Sequence, residues 1–578
     1  MKQLILILCA GFYFVGASGS SVVGSKHDLT VNGGSSYKAV SEKNSCGFCH
    51  TPHHSNGELP LWNHAMSSVS NYVVYGSARL TNLNLTIPQP NGSSRLCLSC
   101  HDGTVALGNI TSGAPAIAMQ GTVTTLPASD PANLGTDLRS DHPISFTYDD
   151  AMASRDSADI KLPNQWPAVV KLDALKRMQC TSCHNPHDNQ NTSFLVMANT
   201  GSALCLACHQ SSTWSSSPHA LSATPVPAAI AARLANAKVG SKIAAATTSA
   251  SSVKPMSVVG CENCHMNHKA SSRMHLLQSA APEQNCLNCH NGVTVKKNLA
   301  ADFQKSSIHP ITLNSTAHSP AEDPINPKTR HVVCTDCHNP HAATAATALA
   351  PNAPGALAKL TGVSAAGGII KPLLKEYELC FRCHADSIVR GPVTVPRQFT
   401  ESNTRLQFSA GNQSYHPVEA IGKNSGSVPS LIAPWKTSSV MYCTDCHNSD
   451  SGPGAGGTGA AGPHGSIYRP ILERNLNLTD GQPESAFAYA LCYKCHSRST
   501  VLSGASFRLH QSHVVNDKAA CTTCHDSHGV ANTPHLINFN STYVTNGSLG
   551  TVSYLATGIF KGNCTLSCHG VDHKNTAY

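Results

Sequence analysis

One apolar run dominates the hydropathy pattern, and it comes at the start. Residues Leu4 to Val15 follow a basic Met1-Lys2-Gln3 and lead into small residues from Gly16 to Ser21. A charged start, a short apolar core and a small-residue exit predict a secretory signal peptide over residues 1–19, cut after Ala17 or Gly19. The run is too short for a membrane-spanning helix, which needs about 20 residues, and no later segment is long and apolar enough to span. Cys9 lies inside it, and a lipid anchor there would leave too short a signal. Beyond the leader the pattern predicts little regular structure. Ala228 to Ala237 reads as one short helix within an Ala/Ser/Pro linker over residues 226–255. The rest reads as short helices, much loop and little sheet.

What recurs is a motif. Cys180-Thr181-Ser182-Cys183-His184-Asn185-Pro186-His187 holds two cysteines two residues apart with a histidine directly after the second. This is the pattern of a c-type haem attachment site. Two thiols join the vinyl groups of one haem, and the adjacent histidine takes the first axial position on iron. The same core stands at Cys46/Cys49/His50, Cys97/Cys100/His101, Cys205/Cys208/His209, Cys261/Cys264/His265, Cys286/Cys289/His290 and Cys334/Cys337/His338. It returns at Cys380/Cys383/His384, Cys443/Cys446/His447, Cys492/Cys495/His496 and Cys521/Cys524/His525. The last copy, Cys564/Cys568/His569, has three residues between its cysteines. These twelve sites form six pairs, whose members begin 25 to 51 residues apart. They divide the chain into residues 20–225 with sites one to four, 256–400 with sites five to eight, and 401–578 with sites nine to twelve.

Cysteine pairs also build zinc sites and disulfides. Four-cysteine zinc sites need two pairs each, but they do not require histidine after every second cysteine. Histidine is only 32 of 578 residues, so its presence at all twelve places favours haem. With Cys9 removed, the 24 remaining cysteines match twelve pairs and leave none for a disulfide.

Further histidines are candidates for the second axial position. First members of the pairs carry one three residues on, at His53, His187, His268, His341 and His528. The chain cannot travel around a haem in three residues, so each is expected to serve a neighbouring iron. After His447 that place is held by Asp450, and His464, in the stretch Gly452 to Gly465, is the candidate replacement. His142, His309 and His416 each precede proline, which holds them out of the right-handed helical region and stiffens the loop that aims them. His27 and His64 flank the first site, and His513 precedes the sixth pair. Met266 and Met441 lie near motifs, but the histidines already suffice.

Composition makes haem a structural need. Aromatic residues are 5% and charged residues 12%, and Phe and Trp together number 17. Such a chain would struggle to bury enough apolar surface alone, whereas twelve covalently attached porphyrins would supply flat apolar mass. The expected fold class is therefore a multihaem cytochrome c, mostly loop with short α-helices and little sheet, with a core of stacked haems and a largely disordered apoprotein. The formal charge of +8 is outweighed by two propionates per haem, so the basic residues read as propionate partners rather than a nucleic-acid surface.

The CHTPH, CHNPH, CHMNH and CHDSH first members, the LCLSCH, LCLACH and LCYKCH second members, and the DHPISF and YHPVE loops resemble the multihaem c-type cytochromes with doubled CxxCH motifs found in metal-respiring bacteria. The resemblance covers nearly all of the mature chain. It implies bis-histidine haems arranged as a wire, in a periplasmic or outer-surface protein that passes electrons to partner cytochromes or extracellular metal oxides. Asp450 and the extra residue before Cys568 depart from the pattern. Two other classes compete. A nitrite, hydroxylamine or tetrathionate reductase needs an open haem, and no CxxCK motif marks one. A polymeric cytochrome filament would use histidines near the ends, His27 and His573, across a subunit boundary.

Overall fold

A computed structural model describes residues 21–58, 60–112, 115–211, 213–237, 254–311, 331–387, 394–423 and 428–578. The expected signal peptide, with Cys9, and residues 238–253 of the expected linker lie outside the described residues. The chain forms two units. Met1–Gln210, Ala228–Val253 and Met266–Leu276 make up the first, and Ser211–Pro227, Lys254–His265 and Leu277–Tyr578 the second.

Most of each unit is loop and turn, with short helices and small sheets. The expected helix at Ala228–Ala237 is present. The longest motif-bearing helices are Gly92–His101 and Glu376–His384. The first buries Ser94, Leu96, Leu98 and Ser99 and ends in a C-cap at Asp102, whose carboxylate accepts from Tyr72 Oη at 2.6 Å. The second starts where Glu378 folds back to accept from the amides of Leu374 and Lys375, at 2.6 and 2.9 Å, satisfying donors that a helix start leaves open.

Elsewhere the motif makes its own single turn. The amide of the histidine donates to the carbonyl of the first cysteine at His50, His184, His209, His265, His290, His338, His447, His496 and His525, over 2.8–3.0 Å. That bond closes one α-turn and sets the two thiols, three residues apart, on one side. Cys180–Cys183, Cys205–Cys208, Cys334–Cys337 and Cys521–Cys524 are such turns.

The last motif does not follow the expectation of a helix. It lies on the strand Lys561–Cys568, which pairs antiparallel with Val544–Thr545, Ser553–Gly558 and Val571–Ala577. Cys564-Thr565-Leu566-Ser567-Cys568 alternates apolar and polar positions, the period of a strand, and Leu566 is buried with Phe539 and Val544.

Apolar packing is divided among small clusters. Ile87, Phe146, Tyr148, Met152, Ala153 and Met178 form one in the first unit. Val363, Tyr377, Phe381, Ala385, Phe408, Val418 and Met441 form one in the second, with Cys443 and Cys446 against it. A domain usually has one contiguous core. Here apolar side chains gather in separate groups, and several of these groups touch motif cysteines.

Candidate haem-ligation sites

Motif histidines are aimed through one ring nitrogen. Nδ1 meets a backbone carbonyl at His50 (Pro60, 2.9 Å), His101 (Ala132, 2.8 Å), His184 (Ser193, 2.8 Å), His338 (Ala356, 3.1 Å), His447 (Pro470, 3.0 Å) and His525 (His535, 2.9 Å). At His496 it meets Ser430 Oγ at 2.9 Å. With Nδ1–H donated, Nε2 keeps the lone pair that a metal needs, and the ring orientation is fixed.

Opposite these rings stand second imidazoles. In the first unit His50 faces His187 with ring centres 6.0 Å apart, His101 faces His27 at 6.1 Å, His184 faces His268 at 6.2 Å, and His209 faces His142 at 6.2 Å. In the second unit His265 faces His341 at 6.1 Å, His290 faces His219 at 6.3 Å, His338 faces His464 at 6.0 Å, and His384 faces His309 at 6.3 Å. His447 faces His528 at 6.2 Å and His525 faces His510 at 6.5 Å. His416 bears on His496, whose pKa is lowered to about 4 by burial first and by His416 second. Two imidazole nitrogens each about 2 Å from one metal ion leave the ring centres about 6 Å apart. The observed separations fit an iron between each pair.

The facing rings are aimed in the same way. Nδ1 of His142, His309, His416 and His219 meets the carbonyls of Pro143, Pro463, Ser527 and Pro340, over 2.6–3.1 Å. Nδ1 of His268 meets Asp141 Oδ1 at 3.1 Å, and Nδ1 of His528 meets Gln407 Oε1 at 2.7 Å. Burial, and then the facing ring, lower His27, His184, His464 and His525 to about 4. Each is therefore neutral near pH 7, the form that ligates.

The His-Pro loops owe their shape to a three-residue turn. Ile311 N donates to His309 O at 2.9 Å and Val418 N to His416 O at 2.8 Å. Pro310 and Pro417 each sit at the centre, with the fixed φ that such a turn uses.

Asp450 forms an ion pair with Lys305 at 2.8 Å, beside Asp302. His464 stands in the place that Asp450 leaves, close under Gly462. A Cβ on that glycine would lie 3.0 Å from the His464 ring, and its φ of +108° already requires glycine.

Two expected ligands are placed otherwise. His64 is buried with both ring nitrogens against carbonyls, those of Ala65 and Ala106, at 3.0 and 3.1 Å. Its Nε2 also lies 3.5 Å from Cys100 Sγ, and among the described ring contacts none pairs it with a motif histidine. His53 is exposed, and among the described ring contacts none includes it. His513 faces His573 at 6.3 Å rather than a motif histidine. His219 and His510 were not singled out by sequence. For His219 the missed signal was positional, since His27, His142, His219, His309, His416 and His513 each stand ahead of one of the six pairs.

Cys383 and Cys46 are exposed, whereas the other described motif cysteines are half-buried or buried. The helix Glu376–His384 explains Cys383. Its buried face carries Glu376, Tyr377, Glu378 and Phe381, and Cys383 lies two positions beyond Phe381, about 200° around the helix. Its thiol is thus carried away from the apolar cluster that holds Phe381. Cys46 opens the single turn Ser45–Phe48, whose one buried residue is Phe48. Both cysteines keep the motif spacing.

Motif sulfurs also approach one another in sequence order. Cys97 lies beside Cys180 in the first unit, and Cys286 beside Cys334, Cys380 beside Cys443 and Cys492 beside Cys521 in the second. Between these links, Cys100 lies in the field of Cys49, Cys208 of Cys183, Cys264 of Cys289, Cys446 of Cys495, and Cys524 of Cys568. Cys337 lies in the fields of both Cys380 and Cys383, so the exposed thiol still belongs to the same line. Among the described residues no disulfide joins the cysteines, and no three or more His, Cys, Asp or Glu side chains converge on a metal position.

Residues 173–213 match the family model of the doubled CXXCH motif. That match fits a haem-binding c-type cytochrome. The motif indicates covalently attached haem c, held by the paired cysteines. No curated protein matches the chain. Among the described residues no helix is long and apolar enough to cross a membrane.

Proposed function

We propose that this protein is an exported electron carrier with twelve covalently attached haems, their irons closed on both faces by histidine. The opposed imidazoles, with ring centres 6.0–6.5 Å apart, carry the reading. Haem held in this way supplies reversible one-electron chemistry at iron. The protein's own part is to hold, orient and shield. In the first eleven sites cysteine pairs on one turn would tether the ring edge, carbonyls and polar side chains fix the ligating nitrogens, and the paired imidazoles would hold the iron between them and keep substrate from it. Filled positions favour a carrier over a reductase, and two histidines favour a lower potential than histidine with methionine. The approach of motif sulfurs in sequence order supports passage of electrons along the chain within each unit. The leader supports export to the periplasm or outer surface, where partner cytochromes and extracellular metal oxides are the acceptors. His27 and His573 face histidines of their own chain, which favours their use within it.

Intact mass and electron paramagnetic resonance of the secreted protein test this. The expected result is a polypeptide heavier by twelve haems with low-spin irons. Free thiols, or metal without porphyrin, would overturn it. A high-spin signal that shifts with nitrite or hydroxylamine would replace the carrier with a reductase.

A further inference from the structure

The twelfth site is built on a different plan. Its cysteines stand four residues apart on an extended strand, about 13 Å along the chain, against a rise of about 4.5 Å across a helical CxxC. Cys564, Leu566 and Cys568 share one face of that strand. His573, on the next strand, pairs in register with Leu566. Directly opposed residues point to the same side of a sheet, so the His573 imidazole rises between the two thiols.

His513 faces it, with ring centres 6.3 Å apart, within the range of the other imidazole pairs. His513 belongs to the π-helical turn Gln511–Asn516, and its Nδ1 meets Leu509 O at 2.9 Å. Its Nε2 is thereby left for a metal, as in the other pairs. Three residues earlier His510 faces His525, so one irregular turn serves two neighbouring sites. Phe507 packs against both histidines and against Tyr578.

The motif histidine is turned elsewhere. His569 has a φ of +52° and Gly570 one of +77°, the two-residue turn of a tight hairpin. His569 Nε2, the nitrogen that would meet iron, instead meets Asp480 Oδ2 at 2.8 Å. Asp480 is itself fixed, accepting from Ala520 N at 2.5 Å and from Thr523 Oγ1.

We infer that the twelfth haem takes His573 and His513 as its axial ligands, with Cys564 and Cys568 on either side, and that His569 stays outside the iron's coordination. The inference rests on the haem reading of the twelve motifs. In the first eleven sites the ligand follows the second cysteine on the same turn. In the twelfth it comes from the neighbouring strand, and Asp480 is a positioning residue for the hairpin.

Redox titration and electron paramagnetic resonance of the secreted holoprotein decide it, using His573→Met, His569→Met and His513→Ala. His573→Met is expected to keep all haems low-spin while raising the potential of one, the direction taken by His/Met ligation. His513→Ala is expected to turn one haem high-spin, reversed by added imidazole. His569→Met is expected to change neither spin state nor potential. A raised potential or a lost haem in His569→Met, or an unchanged titration in His573→Met, would overturn the inference. The intact mass of the wild-type protein separates the two levels. A mass lighter by one haem sinks this assignment alone, and a mass with no haem sinks the reading beneath it.

Discussion

A histidine that ligates through one nitrogen must be held by the other, and that division of labour separates the ligand candidates residue by residue. His142, His309 and His416 give Nδ1 to a carbonyl and turn Nε2 toward a motif histidine. His64 has a carbonyl near each nitrogen and no motif histidine facing it among the described ring contacts. The difference was invisible in sequence, because it depends on where the carbonyl of Ala106 lies. The exposure of Cys383 was equally hidden, because it depends on which side of its helix Phe381 anchors. The exchange at Asp450 was legible, since the missing histidine left His464 as the nearby substitute. His464→Ala should therefore convert one haem to high spin, whereas Asp450→Ala, which releases Lys305, should convert none. Electron paramagnetic resonance of the two variants distinguishes them. Gly462→Ala should drive a methyl group into the His464 ring and broaden the low-spin signal of that one iron.

Among the elements, the motif turn and the His-Pro turn account for most of the order. Both were readable, one from cysteine spacing and one from the proline. The strand at Cys564–Cys568 was readable only in part. Its extra residue was evident, but its alternation becomes decisive only once Val544–Thr545, Ser553–Gly558 and Val571–Ala577 are seen to flank it. Pro417→Ala frees the turn that aims His416 and should cost about 0.4–1 kcal/mol, measured as a shift in the denaturant midpoint. In the first unit Asp137 is held at about 2, chiefly by hydrogen bonds from Arg139 and further by Arg273. A depressed carboxyl stabilises the fold above its unfolded pKa of about 4, and that contribution is lost as pH falls through about 2. Asp137→Asn should accordingly flatten the acid end of the stability profile in a pH series of thermal melts.

For the whole molecule, the scarcity of aromatic residues has its counterpart in the divided apolar clusters. Val363, Phe381 and Met441 gather around cysteines rather than around one another alone. Protein made without haem attachment should show little near-ultraviolet circular dichroism and rapid proteolysis, because the small clusters cannot outweigh the entropy of ordering so much loop. The order of sites was legible as sequence order, but the approach of Cys380 to Cys443 and of Cys492 to Cys521 was not. It requires loops of different lengths to return to a common line. Replacing Cys443 and Cys446 by alanine should interrupt electron passage through the second unit by orders of magnitude in flash-reduction kinetics. Replacing Cys564 and Cys568 should only shorten the path.

The backward reach of the first members limits how such a chain can change. His187 serves the site of His50, His268 that of His184, His341 that of His265 and His528 that of His447. Like overlapping roof tiles, each pair covers the edge of the one before it. Excising any later pair would take a facing histidine from a site upstream as well as remove two sites of its own, so such a chain could be trimmed cleanly only from its first pair.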